Sequence, residues 1–142
     1  MIRLIYVSRS AERLPLGLRD VLETSRKNNL RMNITGALCH LDGVYLQYLE
    51  GDTVVLEDLY RRIISDPRHV DARLLERKRI SERLFSEWSM ALVTWDVQTR
   101  AIFNAFNLTP DLDLYQMEPG QAALTFEALS RSANWLRVGE AA

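Results

Sequence analysis

The dipeptide Asp42-Gly43 constrains this 142-residue chain more than any other feature. Aspartate followed by glycine strongly favours a two-residue hairpin turn, because both central positions of such a turn need positive φ. It lies between two apolar runs, Ile34 to Leu41 and Val44 to Leu49, so an antiparallel hairpin is predicted there. Gln47 sits inside the second run. A carboxamide is costly to bury unless something polar meets it, so this strand is expected to face a ligand or an internal hydrogen-bonding partner.

The segments around the hairpin give the topology. Ile2 to Ser8 alternates as a strand, with Ile2, Leu4 and Tyr6 on one face and Ile5 and Val7 on the other. Pro15 suits the first turn of a helix with a stripe of Leu14, Leu18, Val21, Leu22 and Ser25 that ends near Asn28-Asn29. Gly51-Asp52-Thr53 offers a turn and an N-cap for a second helix to Asp66, with Leu56, Leu59, Tyr60 and Ile63 inward, and Pro67 stops it. Val70 to Ile80 reads as a strand whose arginines place it at an edge, and Trp88 to Trp95 as a last strand rich in bulky residues. The order β-α-β-β-α-β-β is two split βαβ units sharing a hairpin. It predicts an α+β, ferredoxin-like sheet with two helices on one face and an added final strand.

Strand parity extends the prediction. If Tyr6 and Gln47 face the helices, then Ile5, Val7, Leu46 and Tyr48 face the other way and need a cover. A helix over Val97 to Phe106, and another from Pro119 with Ala122, Phe126, Leu129, Ala133 and Leu136 at helical spacing, can supply it, or a second subunit can share the face. The expected division is therefore a sheet unit over residues 2–95 and C-terminal helices over 96–142. A net charge of −1 gives no broad basic field for nucleic acid. The lone Cys39 excludes an intrachain disulfide, His40, His69 and Cys39 lack metal-ligand spacing, and no apolar run is long enough to span a membrane, so a cytoplasmic protein is expected.

Several elements in register resemble a known family. Tyr6-Val7-Ser8, Ser25-x-x-Asn28-Asn29, Ile34-Thr35-Gly36-x-Leu38, Gln47-x-Leu49-Glu50-Gly51, Asp66-x-Arg68-His69 and Phe85-x-x-Trp88-Ser89-Met90 look like the BLUF domain, the blue-light sensor using flavin. The likeness runs over roughly residues 2–95, and the remainder resembles the helical cap of short stand-alone members. It implies a flavin between the two helices, FAD with FMN or riboflavin also admissible, no fused output enzyme, and a separate downstream signalling protein or self-association as the output.

The resemblance also implies roles. Tyr6 is similar to the tyrosine that gives an electron and a proton on excitation, and Gln47 to the glutamine that bridges that hydroxyl and the flavin edge and then rotates or tautomerises. Its two ends have opposite hydrogen-bond polarity, so either change rewrites the bonding with little change of volume. Asn28 and Asn29 carry carboxamides complementary to the pyrimidine edge of a flavin, although asparagine is also common at helix ends for backbone reasons. Arg68 and His69 follow the second helix, where they either meet the pyrimidine carbonyl or the ring face or are solvated loop residues. Trp88 and Met90, two residues apart on the last strand, are implied to carry the glutamine change to the sheet. Tyr45 shares a face with Gln47 two positions away, where relatives often have phenylalanine, and is expected to compete as an electron donor. A ligand-sensing subunit without photochemistry is the other class this scaffold supports. An acylphosphatase-like enzyme is disfavoured because Ser8 to Arg13 is no glycine-rich phosphate cradle.

Overall fold

The structure is a computed structural model that describes residues 1–11, 15–86, 89–107, 112–131 and 135–136. The turn forms as the dipeptide dictates, since Asp42 and Gly43 take φ of 51° and 77°. It joins β2 (Thr35–Leu41) to β3 (Val44–Gly51) in an unbroken antiparallel register from Thr35↔Glu50 to Leu41↔Val44. Gly36 permits this ladder, because a Cβ there would lie 2.1 Å from the Tyr48 carbonyl oxygen.

Before the hairpin come β1 (Ile2–Ser10) and α1 (Pro15–Arg31). After it come α2 (Thr53–Ser65), β4 (His69–Arg79), β5 (Ala91–Val93), α3 (Val97–Phe106), a 3-10 turn at Leu114–Gln116, α4 (Pro119–Ser130) and β6 (Trp135–Leu136). Asp52 caps α2 by accepting from the Val55 N–H at 3.2 Å. The strand order is β4-β1-β3-β2-β5-β6. Its first four strands are antiparallel neighbours in the ferredoxin-like arrangement, with β4 at the edge as its charges predict.

Parity holds on both faces. Ile2, Leu4, Tyr6, Tyr45 and Leu49 pack with Leu22 of α1 and Leu56 of α2. Ile5, Val7, Leu46 and Tyr48 pack instead with Phe103 of α3 and Ala122, Phe126 and Leu129 of α4, so this chain covers its own second face. Tyr48 meets the rings of Phe85 and Phe126 at 5.1 and 5.2 Å. All eight residues of β3 are buried as a result. The 3-10 turn is tied to the sheet as well: the Tyr115 ring lies 4.0 Å beneath the Arg9 guanidinium, and its hydroxyl donates to the Asp71 carbonyl at 2.9 Å.

Two expectations need correction. The strand expected over Trp88 to Trp95 is confined to Ala91–Val93. It pairs parallel to β2 at Ala37↔Ala91 and Leu38↔Leu92. Upstream, the Ser89 carbonyl accepts from the Asn29 side chain instead of a neighbouring strand; downstream, Asp96 caps α3 by accepting from the Thr99 N–H. Met90 therefore precedes the strand, and Trp88 lies outside the described residues, so the face these two were expected to share is not seen. The second correction concerns the tail: α4 stops at Ser130, and Trp135–Leu136 form β6 against β5 where a continuing helix was expected. The Trp135 indole N–H donates to the Leu129 carbonyl at 2.8 Å, which ties β6 to the end of α4. Ala133 lies outside the described residues.

Candidate functional site

β1 and β3 put Tyr6 directly opposite Gln47. Both are buried, at 0% and 4% exposure. The Tyr6 hydroxyl donates to Gln47 Oε1, and Gln47 Nε2 donates to Met90 Sδ at 3.5 Å. The buried carboxamide thus finds polar partners at both ends, as its place in an apolar strand required. Burial pushes the Tyr6 phenol far up, with Tyr60, Tyr45 and Asp66 adding to the shift, so it stays protonated and donates.

Rings surround this pair. Tyr60 and His69 lie edge-on to Tyr6 at 5.5 and 6.2 Å. Tyr45 meets the rings of His69 at 5.1 Å and His40 at 4.7 Å in tilted contacts, so among these ring contacts it reaches Tyr6 through His69. The His69 Nδ1 is 2.8 Å from Ser8 Oγ, and burial lowers the imidazole pKa, which favours the neutral ring.

Between α1 and α2 lies a cleft of about 220 Å³. Tyr6, Gln47, Asn28, Asn29, Arg68 and His69 all line it, with Leu59, Ile63 and Met32 as apolar wall. Asn29 is 2% exposed, and its Nδ2 donates to the Ser89 carbonyl at 2.9 Å. Its backbone carbonyl meanwhile accepts from the Ile34 N–H at 2.8 Å, ending the helix. Asn28 is half-buried and accepts from Arg31 at 3.3 Å. Arg68 sets its guanidinium against Asp66, Nε to Oδ1 at 3.1 Å and Nη2 to Oδ2 at 2.7 Å, which holds that carboxyl below its usual range. Met90 touches Gln47 from beside the cleft. Sequence reasoning missed Ser8 as the partner that orients His69; a serine in an apolar strand was the available signal.

This set suits a flat heteroaromatic ring: aliphatic wall for its faces, and carboxamides, a phenol and an imidazole for a carbonyl-bearing edge. The fold and the cleft together define an α+β domain with a site for such a ligand. The match to the family model described as "Sensors of blue-light using FAD" covers residues 1–91, and the chain belongs to this BLUF family.

Among curated relatives, the photoactivated adenylate cyclase subunit beta of Euglena gracilis is 34% identical over 93 residues, which are 64% of this chain and 11% of that protein. The chain thus spans about a tenth of the length of such relatives. Of solved structures, the ground state of BlsA superposes with a TM-score of 0.84 at 27% identity, covering 94% of this chain and 89% of that one. The dark state of BlrB, a BLUF protein, gives 0.73 at 27% identity, covering 91% and 94%. The cofactor of the family is FAD, and the chain is a blue-light sensor domain on that footing.

Proposed function

We propose that residues 2–95 hold FAD in the α1–α2 cleft, that Tyr6 and Gln47 convert its excitation into a changed hydrogen-bond pattern, and that residues 96–142 act as a cap relaying the change. The hydrogen-bonded row Tyr6, Gln47, Met90 carries the proposal, because it begins at the cleft and ends on the segment leading into β5. Asn28 and Asn29 would bind the pyrimidine edge, with Arg68 and His69 on the wall beside them. When bound, the flavin supplies a blue-light-driven one-electron oxidant with acceptors along one edge.

Tyr6 holds its proton on the phenol oxygen, aimed at Gln47 Oε1, so electron loss from the ring has a ready proton acceptor. If the Gln47 amide reverses, its oxygen faces Met90 Sδ. Two acceptors then oppose each other where a donor and an acceptor met before, and Met90 is driven away. Tautomerisation would likewise change which end donates. Met90 sits one residue before β5, so its movement pulls on the strand that pairs with β2 and β6.

The domain acts here as a sensor rather than a catalyst, its output being altered binding to a separate signalling protein or to a second copy. Only a difference in affinity between dark and lit forms makes such a switch. No helix among the described residues is long and apolar enough to cross a membrane. The test is optical. The purified protein is expected to be yellow, to shift its visible band to longer wavelength under blue light and to relax in darkness. Met90→Ala is expected to keep the flavin while changing the dark-recovery rate. A flavin-loaded protein with no reversible shift refutes the reading.

A further inference from the structure

We propose that Glu50 is a positioning residue for the light response: its carboxylate clamps the Arg83–Phe85 segment onto the end of β3 and so sets how Met90 meets Gln47. The inference rests on the proposed role of the Gln47–Met90 contact.

Glu50 stands three residues beyond Gln47 on β3, hence on the opposite face, and is 0% exposed. Its Oε1 accepts the Leu84 N–H at 2.6 Å, and its Oε2 accepts the Phe85 N–H at 2.7 Å and the Thr35 hydroxyl at 3.0 Å. Arg83 closes the arrangement: Nη1 donates to Thr35 Oγ1 at 2.8 Å and to the Glu50 carbonyl at 3.2 Å, and Nη2 donates to the Asn33 carbonyl at 2.7 Å. Five residues further along, the same connection is pinned at the cleft, Ser89 by Asn29 and Met90 by Gln47. The β4–β5 connection is therefore held at one end by the strand that carries Gln47 and at the other by Gln47 itself.

Only a carboxylate serves here. All three contacts are donors, so the amide nitrogen of a glutamine would oppose a backbone N–H. An ionised group is costly to bury, and an apolar residue would fill the space more cheaply if packing were its whole purpose. Among the described residues, the charged and titratable groups around it are Arg83 from the connection, Tyr48 from its own strand, and Arg3, which stands opposite Glu50 in the β1–β3 register and pairs with Glu76 of β4 at 2.8 Å. Burial raises the Glu50 pKa above the usual carboxylate range, while Phe85, Leu84, Thr35 and Arg83 oppose that shift. As pH falls through this raised value, the incoming proton must displace one of the three donors, and the clamp opens.

The test uses the flavin-loaded protein and compares wild type, Glu50→Gln and Arg83→Gln. In darkness, Glu50→Gln is expected to speed amide exchange at Leu84 and Phe85 by about tenfold or more, the scale of losing a charge-assisted bond, and to move the side-chain amide resonances of Gln47. Its dark-recovery rate should differ from wild type and lose the pH dependence seen in wild type. Should Glu50→Gln fail to fold, Arg83→Gln decides: removing a cation that lowers the Glu50 pKa must move the midpoint of the recovery profile to higher pH. Unmoved Gln47 resonances in Glu50→Gln, or an unmoved midpoint in Arg83→Gln, overturn the proposal. The NMR readouts need no photochemistry. A wild type that shows no light-induced shift defeats the light-sensing reading, and the Gln47 resonances still decide whether Glu50 positions that side chain.

Discussion

Replacing Tyr6 with phenylalanine deletes one oxygen from a side chain that is 0% exposed. The ring contacts with Tyr60 and His69 survive, so the loss is confined to the bond donated to Gln47 Oε1. That oxygen is buried and would be left without its donor. Orphaning such a group costs about 1–3 kcal/mol, against about 3–5 kcal/mol if the whole ring were removed. With a urea m-value of about 2 kcal/mol/M for a domain of this size, the unfolding midpoint should fall by about 0.5–1.5 M. The residues that would grip the flavin edge, Asn28 and Asn29, are untouched, so Tyr6→Phe should remain yellow. The light-induced shift should vanish, because no phenol proton is left to follow the electron. Urea titrations monitored by circular dichroism, run beside dark and lit absorption spectra, read both quantities. An undiminished spectral shift would refute the role given to Tyr6, and a midpoint within about 0.2 M of wild type would refute the claim that its bond to Gln47 is an unreplaced internal one.

Two further outcomes are expected. Gly36→Ala forces a Cβ to within 2.1 Å of the Tyr48 carbonyl oxygen, a backbone atom that cannot swing aside. The β2–β3 ladder should open at a cost of about 3 kcal/mol or more, and wild-type stability in denaturant would contradict this. For pH, burial lowers the His69 pKa in the fold below its unfolded value of 6.5, so its contribution is full above that pH and is lost as pH falls through the folded value. Glu50, with its raised pKa, acts with the opposite sign, so the informative quantity is the difference between wild type and His69→Gln. That difference should shrink between pH 7.5 and 5.5, and a constant difference would count against a neutral buried imidazole.

How far the fold could be read in advance depended on the range of the interaction involved. The turn at Asp42-Gly43, the Asp52 cap and the strand alternation are local, and the residues themselves announce them. Parity then carried Tyr6 and Gln47 to one face, and register placed them opposite each other. The length of β5 was not legible, because a strand ends where its neighbour stops offering backbone partners. Ser89 and Asp96 leave the ladder for reasons lying in α1 and α3. The same holds for β6, whose partner is a strand over forty residues earlier. Within the cleft, residue types suggested which side chains meet a ligand. What holds those side chains, Ser8 for His69 and a backbone carbonyl for Asn29, depends on contacts about sixty residues apart that no local pattern encodes.

β3 has strands on both edges, helices above and a helical cap below, and so owns no part of the molecular exterior. An event at Gln47 is consequently invisible to anything outside until some adjoining piece passes it on. Each layer over that strand is a potential messenger, and under the proposed function any binding partner would learn about light only second-hand.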